Sequence, residues 1–368
     1  MSTKNNIQHR EIAITTNIAC NLRCIYCYEK DKNSTTTFDI DKAKATLQKI
    51  LSQKTENGTI ISFHGGEPFL SYLKIRELCE WAWQQKFEDK FIFHATSNGT
   101  LIHGEIQDWL YKNKERFCVC LSIDGNKKMH DTNRSQSFDL IDLQFFIKTW
   151  PYQDIKMTIS PKSIDYLADG IIYLHEQGVE NISANLAEMM DWSDSKYLDV
   201  YERELTKLSN YYLANPKYRG NECSLFAIYF AAALNDELIK WCGTGTNMQS
   251  FDIDGRKYPC HLFFESVCGK KLSDIEQELD FTNINKLVSP TCKGCKFLQI
   301  CPTCYGSNFI ARGNIANRDM SVCELNKIRF KVVAQYQCTT ILNDESVIDD
   351  EKKYARMKTL EGIKKIFG

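Results

Sequence analysis

No stretch of this 368-residue chain stays apolar for long. The longest such run, residues 225–234, falls far short of the ~20 residues that a membrane-crossing helix needs. Residues 1–11 are polar and lack the apolar segment of a secretory signal. Net charge is nearly absent too, with 46 Lys and Arg against 47 Asp and Glu and a formal charge of -1. Such a chain has no bulk basic field to recruit nucleic acid and no acidic tail to suggest a basic partner. These absences point to a cytoplasmic globular protein with no membrane and no nucleic-acid partner. The length suggests two domains, or three.

Cysteine, by contrast, is abundant, at sixteen residues. An even count is compatible with disulfides, but the cytosol keeps thiols reduced. The distribution favours another use, since three cysteines lie in 20–27 and four in 292–304. Clustering at short spacing is how metal ligands look. Cys79, Cys118, Cys120 and Cys338 fall instead in expected helices, strands or tail, where a thiol acts as a small hydrophobe. The stretch Cys20-Asn21-Leu22-Arg23-Cys24-Ile25-Tyr26-Cys27 has the spacing C-x3-C-x2-C. Its loops are too short to spread the thiols apart, so all three can face one inorganic centre. Three thiolates fit a four-iron, four-sulfur cube with one iron open, because full ligation takes four. That open iron can bind a substrate or cofactor. A zinc loop lacking its fourth ligand, or a chance cluster, is the plainer alternative.

Six short runs rich in β-branched and aromatic residues span 11–16, 59–63, 91–96, 117–123, 155–159 and 181–186. Helical patterns over 39–52, 70–85, 106–114, 139–150 and 164–177 alternate with them, with Asp39 and Gly178 as a start and a stop signal. Alternation of this kind predicts an α/β fold with a parallel sheet and helical crossovers. Six units do not complete an eight-unit barrel, so a partial, open (β/α)6 TIM-like barrel is expected. Polar residues follow directly after the strands: the Cys20 loop, His64-Gly65-Gly66-Glu67-Pro68, Ser97-Asn98-Gly99-Thr100, Ser122-Ile123-Asp124-Gly125 and Ser160-Pro161. The reactive face of a barrel lies at the C-terminal ends of its strands, so five consecutive loops lay out an active site. Residues 197–241 look helical, and 225–234, apolar nearly all round, is expected to be buried. Beyond 343 the chain is charged, with Tyr354, Met357, Leu360, Ile363 and Ile366 at every third residue. That face is expected to pack on the body, the alternative being a docking helix for a partner.

The cysteine spacing, with Tyr26 just before the third cysteine, resembles the signature of the radical S-adenosylmethionine (SAM) enzymes. The resemblance implies that Cys20, Cys24 and Cys27 hold a [4Fe-4S] cluster whose open iron chelates SAM. One electron delivered to the sulfonium would then give methionine and a 5′-deoxyadenosyl radical, which takes a hydrogen atom from an unactivated carbon. Gly65-Gly66-Glu67 resembles the family's Gly-Gly-Glu motif, which contacts the SAM amino group. Without that context, Gly-Gly-Glu-Pro is a turn with Pro68 opening a helix. Ser122 and Asp124 resemble ribose and SAM contacts after the fourth strand. Asn98 and Ser160 are polar neighbours of the same site, or turn caps. His130-Asp131-x-x-Arg134 resembles a stretch of the peptide-modifying branch, with Arg134 facing the SAM carboxylate; otherwise it is a helix-capping cluster. Tyr26 completes the expected SAM site.

Further on, Cys242, Gly255-Arg256-Lys257-Tyr258-Pro259-Cys260, Cys292-x2-Cys295-x5-Cys301-x2-Cys304 and Cys323 follow one another. This series resembles the SPASM domain, a C-terminal extension carrying two auxiliary clusters, which would make three [4Fe-4S] clusters in all. Carried over, Cys292, Cys295, Cys301 and Cys323 hold the distal cluster, and Cys242, Cys260 and Cys304 the proximal one. Two residues, Pro302 and Thr303, stand where the family usually has three. Asp236 occupies a position where some members have one more cysteine. The proximal cluster is thus left with an open iron, or closed by Cys223 or Cys268. A four-cysteine zinc site is the alternative for 292–304. The resemblance covers roughly residues 8–330, and the chain divides into a radical SAM core (1–205), a helical bridge (206–241), a SPASM domain (242–340) and a helical tail (341–368).

The implied activity is modification of a ribosomally made peptide or a protein, by crosslink, thioether, epimerisation or oxidation. Formylglycine formation by a sulfatase-maturing enzyme ranks second, because that branch has an aspartate after the equivalent of Cys260, where this chain has His261. No residue of the sequence stands out as the catalytic acid or base. Expected partners are the peptide or protein substrate and a one-electron donor such as flavodoxin or ferredoxin. Because the first strand starts by Glu11, with no leader-binding domain before it, leader recognition is expected to use another surface or a separate leader-peptide-binding protein. A non-catalytic iron–sulfur carrier or zinc-binding module would explain the cysteines, but not the Gly-Gly-Glu and Ser-Ile-Asp-Gly loops on the same face.

Overall fold

The computed structural model describes residues 9–29, 32–235, 237–275, 279–344 and 348–368, so the expectation built on Asp236 lies outside the described residues. Strands β1 (Arg10–Asn17), β2 (Thr59–Gly65), β3 (Phe91–Ser97) and β4 (Phe117–Leu121) run parallel, side by side. Helices α1 (Ile40–Leu51), α2 (Tyr72–Gln84) and α3 (Glu105–Lys112) cross between them. Asp39 caps α1 as its sequence predicts, its carboxylate accepting from the N–H groups of Asp41 and Lys42. Two short helices, α4 (Lys127–Asn133) and α5 (Leu143–Thr149), lead to β5 (Ile155–Ile159). Helix α6 (Leu167–Glu176) then returns the chain to β6 (Ile182–Leu186), the parallel partner of β5.

The six strands stand in chain order, but as a group of four and a pair. A single bridge between Ser122 and Lys156 stitches the pair to the end of β4, with the Ile123 N–H donating to Lys156 O at 2.9 Å. Positions facing the helices carry the core: Ile12, Ile61, Phe63, Phe93 and Phe117 are fully buried there. On its other side β1 gains a parallel neighbour, β7 (Met248–Phe251), to which the short β8 (Lys257–Tyr258) is antiparallel. The cysteine-rich half therefore contributes two strands to the barrel's own sheet. Nothing in the six-unit alternation announced them.

Helix α7 (Lys196–Ala214) stops well before residue 241, where the sequence pattern had carried it. Pro216 has no N–H to give a helix and drives the residue before it out of helical conformation; Asn215 sits at φ -124°, ψ 73°. Most of the apolar run 225–234 is buried as expected, although not as an α-helix, while Ala227 and Tyr229 are exposed. After α8 (Glu265–Cys268), α9 (Lys270–Ile275) and α10 (Tyr305–Arg312), the chain ends in α11 (Cys323–Leu342) and α12 (Asp350–Phe367). Helix α11 packs on α7, and Gln337 donates to Ile228 O at 3.0 Å, tying down the 225–234 segment. Of the expected apolar face on α12, Ile363 and Ile366 are buried, while Tyr354 and Met357 are 59% and 45% exposed.

Two apolar cores result. The larger lies under the barrel strands and extends through α7 and α11. The smaller gathers Tyr258, Phe263, Phe264, Phe281, Tyr305 and Phe309, with Tyr28, Cys242 and Cys304 at its margin. No helix among the described residues is long and apolar enough to cross a membrane.

Candidate active site

The loop carrying Cys20, Cys24 and Cys27 leaves β1 at the C-terminal mouth of the barrel and is held there from four directions. Below it run Gly65 and Gly66. The Gly66 N–H donates to Asn17 O at 3.3 Å, and the Glu67 N–H to Ala19 O at 2.8 Å. A Cβ on Gly65, whose φ is +146°, would lie 2.2 Å from Asn17 O, and one on Gly66 2.1 Å from Ala19 O. The two glycines thus admit the backbone of the cysteine loop itself. From β3, Asn98 Nδ2 donates to Asn21 Oδ1 at 2.9 Å, and Asn21 Nδ2 donates to Thr100 Oγ1 at 2.7 Å. From β4, Asp124 Oδ2 accepts from the Tyr26 hydroxyl at 2.6 Å. From α4, Asn133 O accepts from the Ile25 N–H at 3.0 Å.

Two buried carboxylates organise the mouth. Glu67, 1% exposed, accepts from Ser97 Oγ (2.8 Å), the Asn98 N–H (2.8 Å) and the Phe69 N–H (3.1 Å). Burial raises its pKa against these donors and the nearby Arg134 charge. A carboxylate has about four lone-pair sites, so three internal donors leave one for an ammonium group. Asp124, fully buried, accepts from the Thr158 N–H (2.8 Å) through Oδ1. Besides Tyr26, its Oδ2 faces Asn133 Nδ2 (3.0 Å) and Arg134 Nε (3.0 Å). It is a hub inside the protein before any ligand is considered. His130, in the middle of α4, accepts the Asp124 N–H at Nδ1 (3.2 Å) and meets Ser137 Oγ through Nε2 (3.0 Å). The His130-Asp131-x-x-Arg134 stretch therefore does cap and brace, while leaving Arg134 beside the Tyr26 ring, 5.4 Å from its centroid. Ser160 Oγ donates to Asn133 Oδ1 at 2.7 Å, and the Ser122 N–H donates to Ser97 O at 2.8 Å. Asn133, bonded to the loops after β4 and β5 and to the cysteine loop, escaped the sequence reading; an Asn between two motif residues gives no signal of its own.

Burial pushes the Cys20 thiol up to about 11 and raises Cys24, on which Arg134 is the largest opposing influence. Thiols so placed ionise only with compensation, and a coordinated metal supplies it. Among the described residues no group of three His, Cys, Asp or Glu side chains is drawn tightly enough around one point to hold a single metal ion. Ligands of one zinc ion must converge to ~2.3 Å from it, whereas thiolates on a cube bind separate irons and stand further apart.

The C-terminal thiols fall into two groups. Cys323 acts on Cys301, and Cys292 and Cys295 act on Cys323; these four line a cavity of about 270 Å³, which Cys304 also borders. Arg318 and Arg329 line it too, each with a buried Nε that has no hydrogen-bond partner. Orphaned cationic donors around a nest of thiols fit an anionic cluster. Cys242, Cys260 and Cys304 form the second group, and burial pushes Cys260 up to about 12, with Cys304 and Cys242 adding to it. Cys223 belongs to neither group. It is fully buried in the main core, where its N–H donates to Tyr212 Oη at 3.0 Å. Cys268 Sγ donates to Phe263 O at 3.4 Å.

Between the two ends of the chain stands a wall that the sequence did not announce. Tyr28, next to Cys27, packs its ring 5.3 Å from that of His261, next to Cys260; His261 in turn stacks on His64 at 4.8 Å. Burial raises Tyr28, with the Cys27, Cys260 and Cys304 sulfurs all adding to the shift. The cysteine loop and the second thiol group are therefore separated by one layer of rings.

Known proteins resemble this chain in the same features. A family model described as a 4Fe-4S single cluster domain matches residues 15–146, from β1 into α5. A cysteine-type anaerobic sulfatase-maturating enzyme of Clostridium perfringens is 24% identical over 317 residues, covering 77% of this chain and 84% of its own length. An uncharacterised protein of Methanocaldococcus jannaschii is 29% identical over 175 residues, 45% of this chain and 59% of its own. Among solved structures, native anSMEcpe with bound AdoMet and the Cp18Cys peptide superposes with a TM-score of 0.65 at 21% identity, covering 90% of this chain and 98% of its own. Streptococcus suis SuiB bound to its precursor peptide SuiA gives 0.54 at 16% identity, covering 85% and 75%. At these identities the structural likeness is one of fold. What the chain shares with these proteins is the barrel fold and, over residues 15–146, a 4Fe-4S domain that contains the cysteine loop.

Proposed function

We propose that the chain cleaves SAM reductively and removes a hydrogen atom from a residue of a ribosomally made peptide or a protein. The observation that carries this reading is the meeting, at one barrel mouth, of the Cys20–Cys24–Cys27 loop with Glu67, Asn98, Asp124 and Arg134. In this reading the three cysteines hold the SAM-binding cluster. Arg134 faces the SAM carboxylate, the free lone-pair site of Glu67 takes its ammonium, and Ser122 lies towards the ribose. Cys242, Cys260 and Cys304 hold a proximal auxiliary cluster, and Cys292, Cys295, Cys301 and Cys323 a distal one. Bound there, SAM and its cluster supply one-electron bond cleavage and hydrogen abstraction, while the chain's residues orient the reactants and exclude water.

A flavodoxin or ferredoxin in the cytoplasm would deliver the electron, and a separate protein would recruit a leader peptide. Formylglycine formation on a sulfatase is the second reading, favoured by the C. perfringens relatives. His261, an imidazole where that branch has a carboxylate, weighs towards other peptide chemistry. Anaerobic incubation with SAM and dithionite tests the enzyme: 5′-deoxyadenosine is expected. None from a fully iron-loaded sample would make the protein an electron carrier.

A further inference from the structure

Strand β5 presents Ile155, Met157 and Ile159 to the helical side, where they are 5%, 1% and 0% exposed. The alternating residues Lys156 and Thr158 therefore face the barrel lumen. Register sets Lys156 beside Ser122 on one side and Ser183 on the other. From there its Nζ reaches past β4 to Thr96 Oγ1 on β3 at 3.5 Å, the long limit of a hydrogen bond. The side chain is nevertheless exposed to solvent, so there is open space around it within the strands.

The groups that feel its charge come from five directions: Glu11 of β1, His64 of β2, His94 of β3, Cys120 of β4 and His261 beside Cys260. All three histidines are held uncharged, by burial first and then by neighbours that include Lys156 itself. Among carboxylates, Glu11 feels Lys156, Asp154 acts on Cys120, and Asp124 accepts from the Thr158 N–H. Among the described residues, no carboxylate lies within ion-pair distance of Lys156 Nζ. An ammonium with no carboxylate in contact among the described residues, facing three neutral imidazoles in a lumen open to solvent, can take the charge-assisted contact of an incoming anion.

We infer that Lys156 anchors a carboxylate of the peptide substrate inside the barrel lumen, opposite the wall made by His64, His261 and Tyr28. The inference rests on the peptide-modifying reading above and adds the class of substrate. Lys156 stands level with Ser122, so the carboxylate belongs to the residue that reacts or to its close neighbour. It is supplied by an Asp or Glu side chain or by the C-terminus of the peptide, and either gives the same charge-assisted contact.

Four synthetic probes separate these sources: Gly-Cys-Asp-Gly amide, Gly-Cys-Asn-Gly amide, Gly-Cys-Gly amide and Gly-Cys-Gly free acid. Calorimetric titration into the full, anaerobically iron-loaded protein with SAM present reads their binding. Binding of the Asp peptide at least tenfold tighter than the Asn peptide assigns the side chain; the same preference for free acid over amide assigns the C-terminus. Lys156→Gln is expected to erase whichever preference appears and Lys156→Arg to keep it, with iron content and circular dichroism reporting that both variants fold. A wild-type protein that binds neither acidic probe better than its neutral twin, or a preference that survives Lys156→Gln, overturns the anchor. Release of 5′-deoxyadenosine by the wild-type protein is scored separately, so its absence counts against the enzyme reading and not against the anchor.

Discussion

The hydroxyl of Tyr26 donates to Oδ2 of Asp124 at 2.6 Å, joining the cysteine loop to the end of the fourth strand. The same oxygen faces Arg134 Nε and Asn133 Nδ2. An aromatic residue inside the cysteine motif is thus wired to a buried ion pair at the barrel mouth. Tyr26→Phe removes a single hydrogen bond to a charged carboxylate and is expected to cost about 1.5–3 kcal/mol. Asp124→Ala leaves Arg134 buried without a partner and is expected to cost about 3–5 kcal/mol. Chemical denaturation of the anaerobic protein reads both; equal losses for the two variants would deny Asp124 its role as hub.

Much of this mouth was legible in sequence because motif and strand end coincide. Each polar loop follows an alternating apolar run, and the barrel's parallel register carries all of them to one face. What stayed hidden was contact made by residues without a motif. Asn133 ties the loops after β4 and β5 with an ordinary side chain and the cysteine loop with its backbone carbonyl, and Lys156 reads as an ordinary charge until β5 turns it inward. Strands β7 and β8 were hidden because two to four residues, without a crossover helix, carry no periodicity. Residues 197–214 formed the expected helix, but Pro216 ended it, a local signal outweighed by the apolar run that follows.

Replacing Cys20, Cys24 and Cys27 together with Ala is expected to abolish 5′-deoxyadenosine formation while most of the iron remains. The reason is spatial: the C-terminal thiols form separate groups across the Tyr28–His261 layer. Iron analysis and product chromatography on the same sample decide it. Loss of nearly all the iron would mean that the three sites assemble as one.

Glu67 holds three internal donors, so Glu67→Ala is expected to act twice. It leaves the Ser97 hydroxyl and the Asn98 and Phe69 N–H groups without their acceptor, at about 1–3 kcal/mol for each buried group left unsatisfied. It also removes the lone-pair site proposed for the SAM ammonium. A lowered melting temperature together with a tenfold or greater loss of SAM affinity is the expected pair of results. Lowered melting with unaltered SAM affinity would make the residue a brace alone.

At the opposite end of the barrel, Asp89 ties the starts of the strands together. Its carboxylate accepts from Arg10 Nη2 (2.9 Å), Thr59 Oγ1 (2.5 Å) and both the N–H and the hydroxyl of Thr55 (2.9 Å each). Burial pushes its pKa up, but the hydrogen bonds from Thr59 and Thr55 and the Arg10 charge outweigh it, and the net shift is downward. A depressed carboxyl contributes stability above its unfolded pKa of about 3.9 and loses it as pH falls through the folded value. Melting temperature is therefore expected to drop more steeply below about pH 4 in the wild-type protein than in Asp89→Asn, which starts lower at neutral pH. Parallel acid profiles for the two proteins would show that Asp89 titrates alike in both states.

The proximal thiol group decides whether the protein can hold a substrate sulfur. Cys242, Cys260 and Cys304 act on one another around the smaller core. Cys223 lies in the other core against Tyr212, and the Cys268 sulfur is turned to the Phe263 carbonyl. We propose that neither supplies a fourth thiolate, and a cube held by three thiolates keeps one coordination site free. Cys223→Ala and Cys268→Ala are each expected to leave iron content and the paramagnetic resonance of the auxiliary clusters unchanged, whereas Cys242→Ala removes one cluster. In the triple Cys20, Cys24 and Cys27 variant, a small thiol such as cysteamine is then expected to perturb one auxiliary signal by binding the open iron. If Cys268→Ala instead costs a cluster's worth of iron, or no thiol shifts either signal, the site is closed and that cluster serves only to pass electrons.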